Sequence, residues 1–329
     1  MKAAEWSPDW DFPTQLPHEN DKYIRALEQE IEAAGGLNEF WNLAKWTGLP
    51  TPFTKLNWIL GGGMRAGEVY VIGANQGAGK TSLALQFALE ALRRGNGVLL
   101  FSMEMGHRAV FQRLLGIEAR VDLAVFRESQ RHNRENHEDR LRLARATAEI
   151  AARKLWVSTQ PAITPEAIIV ETTRLAKRTP VGLVVVDHMQ LCGSEQGTRS
   201  EYEKFTNISR AMKQSAVEIG APLVLVSQTS RSNSRERRSE LDVSDLRGSG
   251  AIEEDAAGVF LLFEDREDSE VAKKDDNGRR YTKGPLKTWL KVGKNRYGEQ
   301  GRCLALRHHK AETRFELEGD DERLNGDDV

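Results

Sequence analysis

A short apolar run, Glu68–Gly73, leads into Ala74-Asn75-Gln76-Gly77-Ala78-Gly79-Lys80-Thr81, and the helix-compatible stretch Ser82–Arg94 follows at once. Strand, small-residue loop and helix in that order form a phosphate cradle. Glycine and alanine let backbone N–H groups approach an anion, and the helix N-terminus adds its partial positive charge. Asn75, Gln76, Gly77, Ala78, Gly79, Lys80, Thr81 and Ser82 are therefore candidate ligands for a nucleotide. Lys80 is expected to reach the β- and γ-phosphates, and the Thr81 hydroxyl to bind Mg²⁺. Ala74 occupies the place of the first glycine in the strict pattern.

The rest of the chain supplies a sheet to hold that loop. Near-continuous apolar runs recur at Gly97–Ser102, Gly182–Asp187, Pro222–Ser227 and Gly258–Phe263. Continuous rather than alternating apolarity marks strands buried on both faces, as in a parallel sheet. Helical stretches such as Glu201–Ile219 separate them, so the expected class is a doubly wound α/β domain. Several of these runs end in a polar residue. Asp187 follows Val184-Val185-Val186 and is a candidate for the Mg²⁺ shell. Glu104 follows the strand Val98–Ser102 and is either a general base for an attacking water or a plain surface glutamate. Gln228 could sense a γ-phosphate, although by itself it reads as an ordinary strand end.

A chain of 329 residues accommodates one large α/β domain with short appendages. The formal net charge of −2 excludes a wholly basic nucleic-acid binder, so DNA contact would have to come from a local patch. Cys192 and Cys303 are too few and too far apart for a disulfide framework or zinc site. No run is apolar enough for a signal peptide or a membrane span, and a cytoplasmic protein is expected. Residues 1–46 read as an arm with a short helix over 20–34 (Ile24, Leu27 and Ile31 on one stripe), the α/β pattern begins at about residue 65, and residues 317–329 read as an acidic tail. Trp6, Trp10, Trp41, Trp46 and Trp58 crowd the early chain, either packing the arm or docking a partner. The charged stretch around Asn277-Gly278 reads as a surface loop or hairpin.

Further segments resemble, in order, the C-terminal motor domain of the DnaB family of replicative helicases, over roughly residues 47–316. They are Thr47-Gly48-Leu49-Pro50-Thr51, Phe53-Thr54-Lys55-Leu56, the phosphate loop, Phe101-Ser102-Met103-Glu104-Met105 and Arg113-Leu114-Leu115. Glu118–Asp122, Val186-Asp187-His188-Met189-Gln190-Leu191, Ser227-Gln228-Thr229-Ser230-Arg231, Asp245–Ala256 and Lys294-Asn295-Arg296-Tyr297-Gly298 complete the series. His188 replaces the family's usual tyrosine, and Gly248 its usual glutamate. Residues 1–46 are too few for the family's N-terminal helical domain.

The resemblance sets the bounds of the ATPase domain at residues 47–316 and implies a RecA-like P-loop NTPase core whose mostly parallel central sheet is flanked by helices. It implies a hexameric ring that hydrolyses ATP with Mg²⁺ at subunit interfaces and translocates 5′–3′ on single-stranded DNA at the replication fork. Lys80, Thr81, Asp187, Glu104 and Gln228 would come from one subunit, and Arg296, with Lys294, from the next. Taken alone, Lys294–Arg296 reads as a solvated basic turn. Arg231, Arg247, Gly248 and Gly250 would face DNA, helped by Arg235, Arg237 and Arg238, although Arg237-Arg238 by itself is an ordinary charge run. A helicase loader or primase is the expected class of protein partner. The alternative is a RecA-like DNA-binding ATPase, or a helicase partner or loader, that does not unwind by itself.

Overall fold

The structure is a computed structural model and describes residues 29, 32, 48–128, 137–193, 201–229, 240–264, 273–274, 280–281 and 285–318. The expected helix over 20–34 (apart from Gln29 and Glu32, which are helical), Arg231, Arg235, Arg237, Arg238, Asn277-Gly278 and nearly all of the acidic tail lie outside those residues. Gly48–Gly319 forms one compact unit, and Met1–Thr47 with Asp320–Val329 a second.

In chain order the larger unit contains α1 (Thr54–Ile59), β1 (Val69–Ala74), α2 (Lys80–Arg93), β2 (Gly97–Ser102), α3 (His107–Ala119), α4 (Val125–Glu128), α5 (His137–Ala151) and β3 (Leu155–Ser158). It continues with α6 (Pro165–Ala176), β4 (Val181–Asp187), α7 (Glu201–Ile219), β5 (Leu223–Gln228), α8 (Ser249–Asp255) and β6 (Gly258–Glu264). The pair β7 (Lys273–Lys274) and β8 (Arg280–Tyr281) precedes β9 (Leu286–Asn295), β10 (Cys303–His309) and β11 (Arg314–Leu317). Among the described residues one nine-stranded sheet has the order β11-β10-β9-β6-β1-β5-β4-β2-β3. From β6 to β3 all pairs are parallel, whereas β9, β10 and β11 add antiparallel to the β6 edge. The expected mostly parallel α/β core is therefore present, and the antiparallel wing is an addition that the apolar runs did not reveal.

The parallel strands are apolar throughout because each faces two cores. Tyr70 and Ile72 of β1 pack with α2 and α3 residues such as Phe87 and Leu114. Val69 and Val71 pack on the other face with α6 and α7 residues such as Ile168 and Met212. Helix α2 is buried along almost its whole length, from Lys80 to Leu92, so the phosphate loop is held by an element that cannot shift. Its buried Gln86 spans to the last strand: Nε2 donates to the Phe315 carbonyl at 2.9 Å, and Oε1 accepts the Phe315 N–H at 2.6 Å. One side chain thus satisfies both backbone groups of an edge-strand residue that has no further strand beside it.

Replacing Gln86 with leucine, which keeps the volume, leaves that N–H and C=O buried without partners. Gln86→Leu should lower unfolding stability by about 1–3 kcal/mol, read as a lower urea midpoint with an unchanged slope.

Candidate functional site

Register alone gathers most of the predicted site. Ala74 of β1 stands opposite Gln228 of β5, and Ser102 of β2 opposite Asp187 of β4. Because β4 and β5 are neighbours, these carboxyl ends form one edge, where open α/β sheets collect ligands. The loop 75–79 rises from that edge into α2. Gly79 adopts φ +99° immediately before the helix, and a Cβ there would stand 2.6 Å from Phe315 Cζ and 2.9 Å from His308 Cε1. Glycine is required on both counts. The Thr229 hydroxyl donates to Asn75 Oδ1 at 2.6 Å, tying the loop to the residue after Gln228.

Within this edge Asp187 is 1% exposed and Lys80 6%. Burial pushes the Asp187 carboxyl up, against the opposing pull of the Thr81 hydroxyl, His188 and Lys80. Burial pushes the Lys80 ammonium down, against the carboxylates of Asp187 and Glu104. Neither Asp187 oxygen has a hydrogen-bond partner of good geometry among the described residues. A buried carboxylate lacking such bonds is costly unless a cation sits against it. Glu104 is more open, its side chain 52% exposed, with Oε2 3.5 Å from Nε2 of the buried His188. Burial lowers the His188 pKa, outweighing the carboxylates of Asp187 and Glu104.

A cavity of 390 Å³ opens above the loop, lined by Gln76, Gly77, Gly79, Lys80, Thr81, Ser82 and Glu104 together with Met105, Arg113, His308, Lys310 and Thr313. The last four were not assigned to the site from sequence. Arg113 lies on α3, within a segment of the resemblance that carried no role. His308, Lys310 and Thr313 come from β10 and the turn into β11, the wing that the apolar runs did not mark. His308 stacks on Phe315 with ring centroids 4.1 Å apart, and burial drives its pKa down to about 3. It is a neutral platform beneath Gly79. A second cavity of 510 Å³ shares Arg113, Lys310 and Thr313 and adds apolar lining from Leu123, Ala124 and Phe126. Charged and apolar spaces side by side suit the phosphates and the nucleoside of one ligand.

Two predicted residues lie at the other end of β1. Asn295 pairs with Gly258, Gly258 with Tyr70, and the Arg296 N–H donates to the Ala257 carbonyl at 2.7 Å. Arg296 is thus separated from the loop of its own subunit by most of a strand, roughly 20 Å. Its guanidinium meets Glu68 at 3.5 Å and the Glu254 carbonyl at 3.0 Å. Lys294 Nζ donates to the Glu253 carbonyl. Arg247 joins the site through its backbone, its N–H donating to the Gln228 carbonyl at 3.1 Å. Gly248, at φ +77°, precedes α8, and a Cβ there would stand 2.7 Å from Phe205 Cβ. The glycine at this position therefore has a packing reason independent of any ligand. Gly250 is exposed in the first turn of α8.

The family model "DnaB-like helicase C terminal domain" matches residues 48–317. The chain is 32% identical over 252 residues to the replicative DNA helicase DnaB of Leifsonia xyli subsp. xyli, covering 74% of this chain and 53% of that protein. It is 30% identical over 221 residues to the DnaB of Geobacillus stearothermophilus, covering 67% of this chain and 48% of that protein. The chain thus spans about half the length of these curated relatives. Among solved structures, one ATPase domain superposes with a TM-score of 0.75 at 23% identity, covering 91% of this chain and 98% of that one. A DnaB-like replicative helicase studied with its primase interactions superposes with a TM-score of 0.72 at 24% identity, covering 91% and 67%. Both likenesses concern the fold.

Gly79→Ala should weaken nucleotide binding about five- to a hundredfold, because the strained φ and the Phe315 contact together cost about 1–3 kcal/mol. Titration of the protein with a fluorescent nucleotide reads it directly.

Proposed function

The chain belongs to the family of DnaB-like helicase C-terminal domains, and we propose that it is the motor of an ATP-dependent DNA helicase of the replicative type. The observation that carries this reading is the separation along β1 of two half-sites. Lys80, Thr81, Asp187, Glu104 and Gln228 share one edge of the sheet, and Arg296 stands at the opposite end. An arginine so placed cannot serve its own phosphate loop, but it can serve a neighbour's. A ring of like subunits, hexameric by family resemblance, repeats that pairing at every interface.

In this mechanism ATP lies along the two cavities, triphosphate over the loop and nucleoside toward Phe126. Lys80 holds the β- and γ-phosphates, and the loop N–H groups cradle them. Thr81 and the buried Asp187 carboxylate fit Mg²⁺, which takes few protein ligands and completes its shell with phosphate and water. Among the described residues no cluster of three or more His, Cys, Asp or Glu offers an all-protein cage instead. Bound there, Mg²⁺ would neutralise charge on the β- and γ-oxygens. Glu104 accepts the proton of the attacking water, and Gln228 donates its amide to the γ-phosphate. Arg296 of the adjacent subunit, with Lys294, offsets the charge that develops on the transferred group, an effect on the order of 10³–10⁵ in rate.

DNA contact follows from Gln228. Its carbonyl receives the Arg247 N–H, so a shift at the sensor moves the loop that bears Arg247, Gly248 and Gly250. With Arg231, these residues track the phosphates of a single strand through the ring, in the 5′–3′ direction by family resemblance. Arg247→Ala should weaken single-stranded DNA binding and DNA-stimulated hydrolysis more than basal hydrolysis. The salt dependence of binding should flatten by about one unit of slope. Equal loss of both activities would move Arg247 into the nucleotide site. A primase, with which the DnaB-like replicative helicase above interacts, is the proposed class of protein partner.

The interface itself is tested by mixing subunits. Lys80→Ala removes the phosphate grip but keeps Arg296, and Arg296→Ala does the reverse. Each alone should be nearly inactive. Together, after subunit exchange, they should hydrolyse more ATP than the sum of the two, while the wild type displaces a strand from a forked substrate. Background hydrolysis in mass-verified mixed rings would remove Arg296 from the mechanism. Hydrolysis by the wild type without strand displacement would favour a helicase partner or loader.

A further inference from the structure

One buried side chain of this edge takes no part in that mechanism. His188 is 4% exposed and closes a ring of hydrogen bonds with Gln190 and Gln228. The directions of those bonds follow from a donor that cannot reverse. The backbone N–H of Gln228 donates to Gln190 Oε1 at 3.2 Å. Gln190 must therefore present its oxygen there, and its Nε2 points to Ser227 Oγ at 2.9 Å. His188 Nδ1 lies 3.2 Å from the same Oε1, an atom that can only accept, so Nδ1 carries the proton. A neutral imidazole has one donor and one acceptor, which leaves Nε2 with its lone pair. The side-chain Nε2 of Gln228 lies 3.1 Å from it and donates.

We propose that His188 is the positioning residue for the γ-phosphate sensor, fixing which end of the Gln228 amide faces the cleft. The proposal rests on the role of Gln228 given above. An amide that turned over would bring its oxygen against the imidazole lone pair, so that orientation is excluded. The NH₂ group therefore stays on the His188 side, where the cavity-lining Glu104 also approaches the imidazole Nε2, with one hydrogen held by His188 and the other unassigned among the described residues. Phosphate oxygens only accept hydrogen bonds, so an NH₂ is the end that can read them. The same lone pair faces Glu104 Oε2 at 3.5 Å, too long and of the wrong polarity for a hydrogen bond. His188 thus takes no hydrogen bond from Glu104, whose side chain is 52% exposed beside the sensor. A tyrosine hydroxyl at this position would both donate and accept and would not select one amide orientation.

Affinities for ADP and for a non-hydrolysable ATP analogue, measured on the full chain, test this. Gln228→Ala should reduce the preference for the analogue over ADP by about tenfold, the worth of one hydrogen bond to a charged group. His188→Asn, which lacks an acceptor at the Nε2 position, should reduce it similarly with ADP affinity unchanged. His188→Gln, whose Oε1 reaches that position, should retain the preference. In the Gln228→Ala background, His188→Asn should add nothing. Equal behaviour of the Asn and Gln variants, additive losses in the double variant, or a parallel fall in ADP affinity would each overturn the proposal. An unchanged preference in Gln228→Ala would instead remove the sensor role, and the positioning role with it. If His188→Asn does not fold, His188→Phe takes its place in the same comparison.

Discussion

A carboxylate held out of water is the constraint on which this edge of the sheet depends. Asp187 is buried at the end of β4 with both oxygens lacking sound hydrogen bonds among the described residues. Its neighbours Lys80 and Thr81 open α2, so the nearby compensation comes from the phosphate loop's own helix. A buried charge of this kind is poor stabilisation, since desolvation offsets much of the attraction of the nearby Lys80. Its value is positional. In the proposed complex an additional cation and a polyphosphate would complete a charge arrangement that Lys80 and Thr81 alone leave unfinished.

The sheet converts that local demand into long-range geometry. Strands packed on both faces do not slide, because a one-residue slip would turn every side chain to the wrong core. The registers that set Ala74 beside Gln228 and Gly258 beside Tyr70 are therefore fixed distances. Strand β9 then extends the frame in two directions. Its end carries Lys294 and leads to Arg296, while Lys291 in its middle bonds Glu240 at 2.8 Å and Asp242 at 3.0 Å. The segment that bears Arg247 is tied to Gln228 on one side and to β9 on the other. The phosphate-loop edge, the loop proposed to face DNA and the arginine proposed to act across an interface are thus connected through short, rigid elements.

The parallel core and the phosphate loop were legible because both leave strong local marks. An unbroken apolar run such as Val184–Val186 fits a doubly buried strand and little else, and Gly-Lys-Thr at a helix start fits little but a phosphate loop. The antiparallel wing was hidden by its chemistry. In β9 the buried positions Leu286, Thr288, Leu290 and Val292 alternate with lysines, a tryptophan and a glycine, and a buried threonine breaks the apolar signal. In β10 the buried His308 reads as polar. Missing that wing meant missing His308, Lys310 and Thr313 in the cavity. Gly248 shows the converse limit: the replacement of the family's glutamate was visible, but the positive φ and the contact with Phe205 that require glycine were not. Single residues such as Glu104 and Arg296 gained meaning only from the company that register gives them.

Arg296, the arginine proposed to act across an interface, is held in a manner suited to exchange. Its partner Glu68 is the better-buried member and has other bonds: Lys213 at 2.6 Å and the Tyr297 hydroxyl at 2.6 Å. Those contacts, with Arg296, pull the Glu68 pKa down despite the opposing effect of burial. If Arg296 leaves, Glu68 remains paired, so no buried charge is orphaned. The ion pair that is lost is long, 3.5 Å, on a side chain 37% exposed, and such surface pairs contribute at most about 1 kcal/mol; the 3.0 Å bond to the Glu254 carbonyl is lost with it. Tyr297 is meanwhile stacked under Arg65 at 3.7 Å, which keeps the segment in place while the guanidinium turns. In the proposed ring, a triphosphate on the neighbouring subunit would offer a far stronger anion than Glu68 does. There the guanidinium would thus be held loosely on its own subunit and free to turn to a loaded site across the interface.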